Sequence, residues 1–284
     1  MLKFDLSEKS GKDCRINPVP DESLCVMNMP ATKTEPVFSL DGDHWIPHAE
    51  AAGPFRGLHG GGVSGLTVAV MEEMARAEGF GTPVTATVFI LRPTPHEKLT
   101  TKVTPLRIGG RIAILESELF AGEKLVAKAT AAFVKPVELP ELAAVAVAPS
   151  PFDASNLPKW QRGRPHGRVT FFDALDIRDD GKGTKWGRML RPMTHYDTPF
   201  ASLFALSDNG TPYWLSGTEL WPPRWGFPNI DVTLHLSRAR VGEWVGVTPT
   251  SDWRVEGNGL TEAAIHDEQG LLGRGCQTVV VTPV

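Results

Sequence analysis

Three polar residues in the second half of the chain stand out against their surroundings. Asp208 follows the apolar run Leu-Phe-Ala-Leu-Ser and precedes Asn209-Gly210, Asn229 follows Pro228, and Gln277 sits in Gly-Cys-Gln-Thr-Val-Val-Val. Singly, each has a plainer account: a turn carboxylate just past a helix, a backbone-capping amide, and the solvent side of a strand. Together they make a carboxylate and two amides, a set able to orient and deprotonate a water molecule.

The other candidate stretch is His59 with Gly60, Gly61 and Gly62. Amides exposed at the positive end of a helix can hold a carbonyl oxygen on which negative charge develops, and His59 beside them could line a substrate site. The plainer account is close helix-to-sheet packing. Gly60, Gly62 and Gly65 satisfy GxGxxG in letters, but the preceding residues are not strand-like and no βαβ unit follows, so a dinucleotide site is not expected. Gly62-Val63-Ser64-Gly65 misses the nucleophile elbow, whose second glycine would fall on Leu66. His44 and His48 have Pro47 between them, which excludes a helical metal pair; no metal and no cofactor are expected.

The elements that must position these residues come in two sets. Residues 57–79 read as one helix opened by glycines, with Val63, Leu66, Val70, Met74 and Ala77 as the apolar stripe and Glu72, Glu73, Arg76 and Glu78 on a narrow solvent face. Extended segments at 84–92, 98–107, 111–120 and 124–134 follow, joined by Pro93-Thr94-Pro95, Gly109-Gly110 and Ala121-Gly122, as in an antiparallel meander. A strand pair around Asp41-Gly42 precedes the helix. A shift of about 146 residues then lays the second half on the first, as two copies of one unit. The second copy has a shorter helix within 198–207, capped by Asp197 or Thr198, then strands at 230–236, 244–253, 260–266 and 271–281. An aromatic, proline-rich insert at 213–227, with Trp214, Trp221 and Trp225, has no counterpart. The expected division is an irregular lead-in at 1–35, a first unit at 36–135, a connector at 136–165 and a second unit at 166–284.

A net charge of −4 and a pI near 6.1 argue against nucleic acid or an anionic membrane surface as partner. Cys14, Cys25 and Cys276 are widely spaced and odd in number, which fits a reducing cytoplasm better than a disulfide framework. No window approaches the roughly 18 apolar residues of a membrane span.

A helix opened by His-Gly-Gly and wrapped by strands, twice in one chain, resembles the double hotdog fold of the acyl-CoA thioesterase II-like family. The likeness covers about 37–283 and is closest at 58–77, at 227–245 and at 260–281. It implies an α+β fold of two tandem units, each a long helix wrapped by a curled antiparallel sheet. It also implies hydrolysis of an acyl-CoA thioester to free acid and CoA, within fatty acid metabolism. In that family an aspartate, a hydroxyl residue and a glutamine form the site; Asp208 and Gln277 fall on the first and last positions, and Asn229 stands where threonine is usual. Homo-oligomers through the sheets are likewise implied by the resemblance alone. Arg56, Lys98, Arg107 and Arg111 are candidates for the CoA phosphates, with solvated surface charge as the plainer account. Two alternatives stay open: a hydratase or dehydratase on the same fold, using His195-Tyr196-Asp197, and an acyl-thioester binding module without catalysis.

Overall fold

The computed structural model describes residues 35–160, 167–196 and 198–283. The lead-in, Cys14, Cys25 and the candidate cap Asp197 lie outside the described residues. Helix α1 spans Gly60–Ala77, and its first three turns are buried almost all round, from Gly61 to Glu72. Two details of the expected stripe change. Ala77 is exposed, and Glu72 is 6% exposed, inside the protein. Its carboxylate accepts the amide hydrogens of Phe200 (3.1 Å) and Ala201 (3.0 Å), at the start of a second helix.

Before α1, strands β1 (Phe38–Asp41) and β2 (His44–Pro47) form the hairpin expected at Asp41-Gly42, with Gly42 at φ 63, where a side chain would be strained. After it come β3 (Thr82–Ile90), β4 (Leu99–Ile108), β5 (Ile112–Ala121) and β6 (Lys124–Val134). These four do not run as a simple meander. β4, β5 and β6 pair in order, but β3 pairs with the far side of β6. Residues between β3 and β4 therefore cross over the start of α1 instead of turning a hairpin. There Thr94 O accepts the Leu58 amide (2.8 Å). Gly57 is required at this crossing: its φ is 89, and a Cβ would fall 2.3 Å from Thr94 O.

The second half holds β7 (Leu175–Asp179), β8 (Lys185–Met189), α2 (Pro199–Ser207), α3 (Gly210–Leu215), β9 (Trp225–Gly226), β10 (Asn229–Leu236), β11 (Val245–Trp253), β12 (Asn258–Asp267), β13 (Gly270–Val280) and β14 (Thr282–Pro283). Apart from the β9–β14 pair, all strands join one antiparallel sheet in the order β1-β2-β4-β5-β6-β3-β10-β13-β12-β11-β8-β7. The order reads the same from both ends: each half contributes a run of six, and the halves meet at β3 and β10. Thr87 and Thr233 face each other at that seam, 146 residues apart, with hydroxyls 3.0 Å from one another. The offset seen in the sequence is thus the pseudo-twofold relation of the fold, and its axis passes between these two threonines. The alternating Val232, Leu234 and Leu236 of β10 are buried, as their period requires.

Inside the curl, α1 packs on β3, β5 and β6 and against α2. The helix contact is close because it runs on small residues. A Cβ at Gly61 would lie 2.6 Å from Ala205 O, and one at Gly65 3.2 Å from Ala201 O. This approach brings the end of α2 beside the first turn of α1.

Candidate active site

The last carbonyls of a helix have no partner within it. At the end of α2 side-chain amides take them. Asn209 Nδ2 donates to Ala205 O (3.3 Å) and Leu206 O (3.2 Å), and Gln277 Nε2 donates to Ser207 O (2.7 Å). Asn229 Nδ2 lies 3.4 Å from Asp208 O and donates to Asp208 Oδ1 at 2.8 Å. Gln277 can reach because it sits opposite Val232 on β13, and Asn229 because it opens β10. Asn229 thus holds Asp208, the C-cap of α2, directly, while Asn209 and Gln277 fix the last carbonyls of the helix that carries it.

Asp208 is 5% exposed. Burial pushes its pKa up from 3.8 to about 6, against the hydrogen bonds from Asn229 and the Gly61 amide, which favour the charged form. His59 caps α1, stacked on Phe171 (4.7 Å between ring centroids), and its Nδ1 accepts the Gly61 amide at 2.9 Å. The same nitrogen is 3.5 Å from Asp208 Oδ2. A nitrogen that accepts from Gly61 presents a lone pair, so this approach is not an ion pair.

The carboxylate lies in the wall of a groove of about 1340 Å³. Its walls are mostly apolar, including Val63, Ile90, Phe172, Trp221 and Trp225, with Pro93 from the β3–β4 crossover. Of the site candidates singled out in sequence, Arg56, His59, Gly60, Asp208 and Asn229 line this groove. Gln277 does not; its amide is spent on Ser207, and its Oε1 faces Gly210. Gly61 and Gly62 also lie behind the wall. Gly61 makes room for α2, whereas a Cβ on Gly62 would meet only Phe38 and Phe171 at 3.6 Å or more. The amide of Gly60 has no partner among the described residues. Neither have Asn229 Oδ1 and Asn209 Oδ1, both buried.

The insert expected at 213–227 begins inside α3. Its Trp214 turns away to pack on Trp253, with ring centroids 5.7 Å apart, while Trp221 and Trp225 reach the groove. His195 packs against Tyr196, with ring centroids 3.9 Å apart and the rings tilted by 43°, outside the groove, so the histidine of the dehydratase alternative is not brought to the site. Lys98 is 3.4 Å from Asp41 and, like Arg107 and Arg111, is not part of the groove wall. Sequence reasoning passed over Asn209 and Glu72. Asn209 read as half of an Asn-Gly turn, and Glu72 as one of four late charges on α1; neither carries a periodic signal. Among the described residues no His, Cys, Asp and Glu group could hold a metal ion, and no helix is long and apolar enough to cross a membrane.

A helix wrapped by antiparallel sheet, twice over, with a carboxylate at the wall of an apolar groove between the halves, is the class of double hotdog proteins. Models of the acyl-CoA thioesterase N-terminal and C-terminal domains match residues 49–134 and 136–281. The fold is similar to that of a protein from Novosphingobium aromaticivorans DSM 12444 described as a candidate thioesterase (19% identity, TM-score 0.66, 87% of this chain and 99% of that one). It is also similar to acyl-CoA thioesterase II TesB2 from Mycobacterium marinum (16% identity, TM-score 0.60, 87% and 94%). A third likeness is a hotdog-fold protein of unknown function from Alicyclobacillus acidocaldarius (18% identity, TM-score 0.61, 87% and 96%). At such identities these likenesses speak for the fold alone. No curated protein gives a significant sequence match. The two domain models cover most of the chain, which belongs to the acyl-CoA thioesterase family and is a thioester hydrolase.

Proposed function

We propose that the chain hydrolyses acyl-CoA thioesters with Asp208 as general base acting on water. The observation that carries this reading is the groove-wall carboxylate held at 2.8 Å by Asn229 with its pKa raised to about 6. A base poised near the working pH is mostly ionised there and still takes a proton readily. Asn229 spends its NH2 on Asp208 and leaves its buried Oδ1 without a protein partner. A water donating one hydrogen to the carboxylate and the other to this oxygen turns a lone pair toward the thioester carbon. A threonine hydroxyl in this place could likewise donate to the aspartate and accept from water, so the amide preserves both roles.

Attack of that water on the carbonyl carbon passes its proton to Asp208 and places negative charge on the carbonyl oxygen. The unpartnered Gly60 amide, at the positive end of α1, suits that oxyanion. Collapse breaks the carbon–sulfur bond, and the thiolate leaves with the proton from Asp208, giving free acid and CoA. Gln277 is a positioning residue in this scheme: it anchors Ser207, one residue before the base.

Thiol release from a panel of short, long, branched and aromatic acyl-CoAs, run beside Asp208→Ala, tests the reading. Turnover by the native chain that falls by roughly 10²-fold or more in the variant is expected; a variant that keeps native turnover removes the base.

A further inference from the structure

The groove has a charge opposite to that of the chain. The protein carries 33 acidic against 29 basic residues, yet among the described residues the only carboxylate in the groove wall is the buried Asp208. Four arginines, Arg56, Arg92, Arg168 and Arg224, line the same groove. Two of them are occupied with the backbone. Arg168 Nη2 donates to Gly53 O (3.1 Å), Pro54 O (3.1 Å) and Phe55 O (2.6 Å), and Arg92 Nη1 donates to Leu125 O. Arg56 and Arg224 are exposed and have neither hydrogen bond nor ion pair among the described residues. Each leaves a planar guanidinium free, the group best matched to phosphate oxygens.

The segments that carry these two side chains are held together. The Phe55 ring, next to Arg56, meets Phe227 edge-on with centroids 5.6 Å apart, while Arg168 grips the Phe55 carbonyl. Arg224 precedes β9, and Gly226 of that strand pairs with Thr282. Gly226 cannot be larger, since a Cβ would come 2.6 Å from Thr282 Oγ1. Two free cations on braced segments bind an anion with less ordering cost than two on loose loops.

We propose that Arg56 and Arg224 form a clamp for the phosphate groups of the coenzyme A portion of the substrate, so that the enzyme selects acyl-CoA over thioesters lacking those phosphates. The proposal rests on the hydrolytic reading of this groove. Coenzyme A carries a diphosphate and a 3′-phosphate at the end remote from the thioester. With the thioester at Asp208, the two free arginines elsewhere on the same wall are the unneutralised charges available to that end.

The test uses the full chain and the Arg56→Gln/Arg224→Gln double variant, with one acyl group presented on CoA, on phosphopantetheine and on pantetheine. The ratio of kcat/KM for acyl-CoA to that for acyl-pantetheine is expected to fall about tenfold in the variant, through KM and not kcat, the size expected of two partly solvated charge-assisted contacts. In the native enzyme the ratio should fall with rising salt, and less so in the variant. A ratio that stays within twofold overturns the proposal. So does a phosphopantetheine thioester that is selected as strongly as acyl-CoA, which would assign the arginines to a single phosphate. If the native chain hydrolyses none of the three, the hydrolytic reading fails by itself. Calorimetric binding of acyl-CoA then decides the clamp, with a tenfold weaker affinity expected in the double variant and an equal affinity refuting it.

Discussion

Asp208→Asn should lower turnover by roughly 10²-fold or more and, at neutral pH, stabilise the protein. The native carboxyl titrates at about 6 instead of 3.8, because burial disfavours its charge. The unfolded chain releases that proton first, so between these pH values the folded state binds more protons, and native stability falls as pH rises. The full difference corresponds to about 3 kcal/mol, reached above pH 6 and absent below pH 4. Asparagine has the same shape and no titration. The stability of the variant minus that of the native protein should therefore grow by about 2 kcal/mol between pH 4.5 and pH 7.5, whatever constant offset the altered hydrogen bonds add. Denaturant unfolding of both proteins across that range measures it, and a thermal scan should show the gap in Tm widening by about 4–8 °C. A difference that does not change with pH would refute the reasoning, because Asp208 would then not be a carboxylate strained by burial.

Asn229→Thr should keep turnover within about tenfold of the native value, since the hydroxyl can donate to Asp208 and accept from water, whereas Asn229→Leu should lose about 10²-fold or more in kcat; equal losses in steady-state assays would remove the dual role. Gly61→Ala forces its Cβ against Ala205 O at 2.6 Å and should cost about 1–3 kcal/mol with a loss of activity, while Gly62→Ala, with its nearest neighbour at 3.6 Å, should be close to neutral in denaturant titration. Glu72→Ala leaves the Phe200 and Ala201 amides without their partner and should lower stability by about 2–4 kcal/mol, read by the same titration.

Much of this architecture is legible in the chain because it is written in periods. The alternation of β10 and the repeat offset of 146 residues that pairs Thr87 with Thr233 survive in the sequence, since both units bury one sheet face on a helix. Strand pairing order is another matter. Nothing local distinguishes a Pro93-Thr94-Pro95 turn from a crossover, and the choice is made by the β3–β10 seam, which is long-range. β7 and β8 passed unnoticed because they are short strands at the end of the sheet whose charged residues, Asp176, Arg178, Lys185 and Arg188, hide the alternation. At the site, Asp208 and Asn229 stood out as polar residues beside apolar runs. Glu72 and Asn209 did not, because their roles are to satisfy backbone of α2, and an unpaired backbone group has no letter in the sequence.

The dependence of kcat/KM on pH, measured by thiol release for the native chain and Asp208→Asn with the best acyl-CoA substrate, tests the central claim most directly. The account predicts a native limb that falls tenfold per pH unit below an apparent pKa near 6, and no such limb on whatever residual turnover the variant shows. A variant with native turnover, or a native profile flat from pH 5 to pH 8, would contradict it.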